Sequence, residues 1–74
     1  MNTQQFISRL ASALEVPVES FDESFVLQGD NWDSLSHLSA IALIDEMYGI
    51  SVPTADLMDC RNVGEVVALV RERL

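Results

Sequence analysis

The chain has 74 residues, a formal net charge of −8 and 49% apolar residues, with twelve carboxylates, four arginines and no lysine. That length supports one small domain, residues 1–74, with little room for the pocket and supporting residues of a self-contained enzyme, and the apolar content excludes a disordered chain. The charge excludes nucleic-acid binding, which needs a basic stripe to displace phosphate counterions, and attraction to anionic membranes; a basic protein partner suits it instead.

Phe6, Ile7, Leu10, Ala11 and Leu14 recur at helical spacing, so residues 3–14 are predicted to form an amphipathic helix with Thr3 as N-cap. It ends at Val16-Pro17, because the residue before proline is pushed out of the helical region. Residues 15–33 carry Pro17, Gly29 and six acids, interleaved with Phe21, Phe25, Val26 and Leu27. A structureless loop of that length is unusual in a compact domain. These apolar residues are therefore expected to tuck into the core, with a short turn near 22–27.

Asp33 is a good N-cap for a second helix, with Leu35, Leu38, Ile41 and Ala42 on one face and Gly49 as its stop. Leu43, Ile44 and Met47 extend the apolar surface round the cylinder, as in a helix packed on several sides or offering one to a visitor. After Val52-Pro53, Thr54 is expected to cap a short helix through Met58. Asn62-Val63-Gly64-Glu65 has capping-box spacing and opens a last helix, with Val66, Val67, Leu69, Val70 and Leu74 as its apolar stripe. Arg71 and Arg73 suit the dipole at its end. The fold class is all-α: a small four-helix bundle, three main helices and one short, with a long loop between the first and second.

Arg9 interrupts the only early apolar stretch, so no signal-peptide core forms, and the run Ala40–Ile44 is too short to span a membrane. A cytoplasmic location is the expectation, with Cys60 a reduced structural thiol. Three glycines make no phosphate-cradling loop, and one histidine and one cysteine make no zinc site. Asp30-Asn31-Trp32-Asp33 fails as a calcium loop because Trp32 stands where a ligand should be. No metal site is expected. Ser34 and His37, three apart on one helix, could in principle pair for acyl transfer, yet nothing supplies an orienting group or an oxyanion hole. No catalytic residue is assigned, and His37 is expected to be a partly exposed helix residue.

Ser34 is nevertheless well placed. Its hydroxyl lies one residue inside a helix start after a long loop, and a phosphate attached there would meet unpaired backbone N–H groups at the positive end of the helix dipole. Capping alone would also account for a serine in that position.

The run Trp32-Asp33-Ser34-Leu35-Ser36-His37-Leu38, with Asp45-Glu46-Met47-Tyr48-Gly49-Ile50 ending the second helix, resembles the acyl carrier proteins. The similarity extends over essentially the entire chain. The resemblance implies a phosphopantetheine arm, taken from coenzyme A by a magnesium-dependent phosphopantetheinyl transferase, on Ser34. It implies that Asp33 and Leu35 are read by that transferase, and that Asp45 and Glu46 dock on basic patches of partner enzymes. An acyl or aminoacyl group would ride the arm as a thioester, loaded by a ligase or acyltransferase and passed to downstream biosynthetic enzymes by a monomeric carrier that catalyses nothing. In some members the acyl chain slips between helices; for Leu38, Ile41 and Ile44 a core role is the larger expectation. Ser39 and Met47 replace acids usual in the housekeeping fatty-acid carrier, and Trp32 replaces a small residue. These departures imply a specialised stand-alone carrier. The alternative is an acidic helical interaction module without a prosthetic group.

Overall fold

The computed structural model describes residues Met1–Leu74 and contains four α-helices: α1 (Thr3–Ala13), α2 (Ser34–Tyr48), α3 (Thr54–Met58) and α4 (Val63–Arg73). Phe6, Ile7, Leu10 and Ala11 form the buried stripe of α1, as the periodicity predicts. Its cap is Asn2 and not Thr3: the Asn2 side chain accepts from the Gln5 amide at 3.0 Å, and Thr3 is already helical. At the other end the Val16 amide reaches the Ala11 carbonyl at 2.9 Å and the Glu15 amide the Ser12 carbonyl at 3.2 Å. This doubly bonded stop places Glu15 in the left-handed region, at φ 59°, where glycine is usual.

The long loop contains two single-turn 3₁₀ segments, Val18–Ser20 and Gly29–Asn31, and between them the turn expected near 22–27, closed by the Phe25 amide on the Asp22 carbonyl at 3.0 Å. Between them Asp22 accepts from the amide and hydroxyl of Ser24, at 3.0 and 2.6 Å, and the chain then runs extended. Extended backbone alternates its side chains. Phe21 and Leu27 are accordingly buried and Phe25 is half-buried, but Val26 is 54% exposed, against the expectation that all four tuck inward. The segment is stitched to the start of α4 by Leu27 N–H to the Arg61 carbonyl, Val63 N–H to that of Phe25 and Gly64 N–H to that of Glu23, at 2.8–3.1 Å. A Cβ on Gly64 would stand 3.1 Å from the Glu23 carbonyl oxygen, so this seam is tight for any larger residue.

Helix α2 buries a different face from the one expected. His37, Ala40, Leu43 and Ile44 point inward, whereas Leu35 and Leu38 are 73% and 59% exposed and Ala42 is also outside. With apolar residues on every side the helical period fixes no unique stripe, and packing against α1 and α3 selects one. Gly49, at φ 67°, ends the helix as predicted. Pro53, not Thr54, occupies the N-cap position of α3 and makes no side-chain cap bond; proline's fixed φ already presets the entry. Helix α4 buries Val63, Val66, Val67 and Val70, while Leu74 lies beyond its last turn, 59% exposed. Asn62 caps it by accepting from the Glu65 amide at 2.9 Å; the Glu65 carboxylate turns to the Arg61 amide in place of the reciprocal bond. Arg71 and Arg73 tie its end to Thr3 and Asp56. One continuous core results, centred on Phe6, Leu10, Ile44, Leu57 and the α4 valines.

Candidate functional site

The start of α2 is held from below by Trp32. Its indole is buried, and Nε1 donates to the Leu57 carbonyl of α3 at 3.0 Å, while its own amide closes the preceding turn on Gly29 at 3.1 Å. The bulky residue that departs from the housekeeping pattern is therefore an anchor between the loop, α2 and α3. Above it Asp33 caps the helix, accepting at Oδ1 from the Ser36 amide at 2.9 Å and the Ser36 hydroxyl at 3.0 Å. These bonds, the amide's foremost, hold the Asp33 carboxyl below its ordinary value, so it is ionised at neutral pH.

Asp33, Ser34 and Leu35 are all exposed and lie together on this rigid end. Because Asp33 makes the cap, the Ser34 hydroxyl is not needed for it. Asp45 and Glu46 are exposed too but lie far along the same helix, about 17 Å from Ser34 at 1.5 Å per residue. Eleven residues make three turns, so Asp45 shares the face of Ser34. Glu46 is rotated toward α1, where its carboxylate pairs with Arg9 at 2.9 Å. An open groove between α1 and α2 runs beside this pair, lined in part by Ser8, Ser12, Ser39 and Ala42.

His37 is only 7% exposed, contrary to the partly exposed position expected, and packs edge-on against Trp32 with ring centroids 4.7 Å apart. Its Nε2 has no hydrogen-bond partner, so no serine–histidine catalytic pair forms. Helical spacing does not distinguish an inward histidine from an outward one; the one available signal is the aromatic Trp32 five positions earlier. Cys60 is buried, its thiol reaching the Asp56 carbonyl at 3.5 Å. Burial first, then the nearby Glu65, Asp59 and Asp56 charges, push that thiol up to about 11, which leaves it unreactive at neutral pH. No group of three or more His, Cys, Asp and Glu side chains is arranged to hold a metal, and no helix is long and apolar enough to cross a membrane.

An exposed hydroxyl on the first residue of a capped helix suits a phosphodiester. The amides of Ser34 and Leu35 have no intrahelical acceptors, and the dipole favours an anion there. Comparisons with known proteins give that chemistry a name. A family described as "Phosphopantetheine attachment site" matches residues 4–70. The chain is 31% identical over 74 residues to the meromycolate extension acyl carrier protein of Mycolicibacterium aurum, an alignment covering 93% of this chain and 76% of that protein. No solved structure gives a significant match. A match over nearly the whole of an all-helical chain leaves one assignment: the protein belongs to the phosphopantetheine-bearing acyl carrier family, whose members hold acyl groups on a covalent arm, catalyse nothing themselves, and serve a phosphopantetheinyl transferase and biosynthetic enzymes.

Proposed function

We propose that Ser34 is the attachment point of the arm and that residues 1–74 act as one carrier domain. The observation that supports this reading best is the exposed Ser34 at the first position of α2, with its cap made by Asp33 and its hydroxyl available for modification. Phosphopantetheine, when bound, supplies a thiol on a long flexible tether that holds an acyl group as a thioester.

The chain's own residues present and orient. Trp32, fixed to α3, keeps the start of α2 rigid while a transferase approaches. Asp33 offers that transferase an ionised carboxylate, and Leu35, 73% exposed, fits an apolar hollow. Asp45 extends the negative surface along the Ser34 face toward basic patches of partner enzymes. Glu46 contributes to docking only when it leaves Arg9, so in this chain it is the weaker of the two acids. Half-buried Ser39 and Met47 add no charge, which separates this surface from that of the housekeeping fatty-acid carrier. We read the chain as a specialised carrier working in the cytoplasm. The relative named for meromycolate extension favours an acyl over an aminoacyl cargo.

Intact mass before and after incubation with coenzyme A, magnesium and a broad-specificity phosphopantetheinyl transferase tests the attachment point. Wild type gains one phosphopantetheine and Ser34→Ala gains none, with stability unchanged within about 0.5 kcal/mol. A gain by the alanine variant, or its unfolding, overturns the assignment. Poor loading by the housekeeping malonyl transferase tests the specialised pathway; efficient loading argues against it.

A further inference from the structure

The groove between α1 and α2 has a volume of about 700 Å³, the size of a small-molecule site. It exists because small side chains face one another across the two helices: Ser8, Ser12 and Ala13 from α1, Ser39 and Ala42 from α2. The Arg9–Glu46 pair stands in its wall. Phe6 meets Tyr48 and Arg9 meets Glu46, so α1 runs back along α2, which puts Ser12 and Ala13 toward the Ser39 end and Ser8 toward the ion pair. Hydroxyls, methyl groups and one ion pair thus share the lining. A long aliphatic chain has few apolar partners there, whereas a ligand that alternates amides with short alkyl links finds both kinds.

Helix geometry puts Ser34 within reach of it. Leu35, Ser39, Ala42 and Glu46 follow one another at helical spacing and form one stripe of α2, and the last three line the groove. Leu35, exposed and adjacent to Ser34, therefore heads that wall. At 1.5 Å per residue, Ser39 lies about 8 Å along the helix from Ser34, Ala42 about 12 Å and Glu46 about 18 Å. A phosphopantetheine arm has about fourteen bonds between the serine oxygen and the sulfur, the reach of about four to five extended residues, or roughly 15–17 Å. That length covers the distance to Ala42, leaves a few ångströms for the step round the helix past Leu35, and stops short of Glu46.

We infer that the α1–α2 groove is a resting site for the arm on Ser34. The pantetheine amides lie against the hydroxyls of Ser12 and Ser39, its methyl groups against Ala13 and Ala42, and the thiol ends before the Arg9–Glu46 pair. A serine hydroxyl both donates and accepts, so it serves the N–H and the carbonyl of an amide alike. Ser39 is central to the fit, since its short neutral side chain leaves the wall open midway between Leu35 and Ala42. Folded back there, the arm rests on its own carrier between partners, and a partner enzyme draws it out. The inference rests on Ser34 as the attachment point.

Nuclear magnetic resonance of the intact protein tests it. On conversion from the apo to the holo form, the amide resonances of Ser12, Ala13, Ser39 and Ala42 are expected to shift while those of α3 stay in place. Nuclear Overhauser contacts are expected between the paired methyl groups of the arm and the Ala42 methyl. Ala42→Leu fills the groove at an exposed helical position with another strong helix former, so it should fold as wild type does, accept the arm, and lose the shifts at Ser12 and Ser39. Wild-type shifts confined to the neighbours of Ser34, or falling on α3 instead, overturn the inference, and this reading needs no variant to fold. So does a folded, loaded Ala42→Leu that keeps the full wild-type pattern. Mass measured on the same samples separates the two levels: absence of an arm on Ser34 removes the attachment assignment and this inference together, whereas a loaded Ser34 with an unperturbed groove removes only the inference.

Discussion

Helices α2 and α4 are both rich in aliphatic residues and bury them in opposite ways. In α4 the valines at 63, 66, 67 and 70 are at most 1% exposed, and the remaining surface is largely polar. In α2 two leucines stand in solvent while an imidazole is enclosed. A helix that buries a clean stripe is serving the core. One that keeps two leucines outside and a histidine inside leaves an apolar outer face that the core does not use. The contrast lies within one small bundle, so composition does not produce it; the Trp32 anchor and the neighbours of each helix do.

Substituting an acid on each helix is the harshest way to break the comparison. Val66→Asp buries an unpaired carboxylate in a chain whose total stability is of the order of 4–11 kcal/mol, and loss of the cooperative thermal transition is expected. Leu38→Asp, on the exposed face of α2, should melt within a few degrees of wild type. Equal damage from the two would show that the outer face of α2 is core after all.

Trp32→Phe probes the anchor. It removes the indole N–H from the Leu57 carbonyl, which keeps the Cys60 amide at 3.0 Å, and should cost about 0.5–1.5 kcal/mol in denaturant titration. A neutral result would mean that α2 and α3 do not need this tie. Arg9→Gln acts on the far end of α2, where both partners of the ion pair are substantially exposed. A loss of about 0.2–1 kcal/mol is expected, together with tighter, more salt-sensitive binding to basic partner surfaces as Glu46 is freed. Unchanged binding would remove Glu46 from the docking face.

The smallest effect concerns acid. Asp33 has a folded value below its ordinary 3.8, so its ionised form is favoured by folding. The stability it contributes is present above the unfolded value and is lost as pH falls through the lower folded one. Asp33→Asn caps nearly as well but does not titrate, so stability at neutral pH should hold and the decline below about pH 4 should become shallower. An unaltered acid profile would show that other carboxylates carry it.

The legible parts of this protein were those written in local chemistry. Helix α1 and helix α4 carry their stripes at fixed spacing, Asp33, Gly49 and Asn62 mark ends by side-chain or backbone chemistry of their own, and Ser34 stood out by its place after Asp33. Thr3 and Thr54 misled because a neighbouring Asn2 and Pro53 satisfied the same role one residue earlier. Val26 misled because a strand-like stretch alternates sides whatever its hydropathy.

Sequence alone thus determined the helical class, the positions of the helices to within a residue or two, the acidity of the surface and the residues at the start of α2, because each follows from covalent structure and from neighbours a few residues away. Which face of α2 turns inward, that Trp32 bonds across to α3, that Glu46 meets Arg9 and that His37 is enclosed were decided only by tertiary structure. An all-round apolar helix has no preferred side until other elements pack against it, and contacts between residues tens of positions apart leave no periodicity to read.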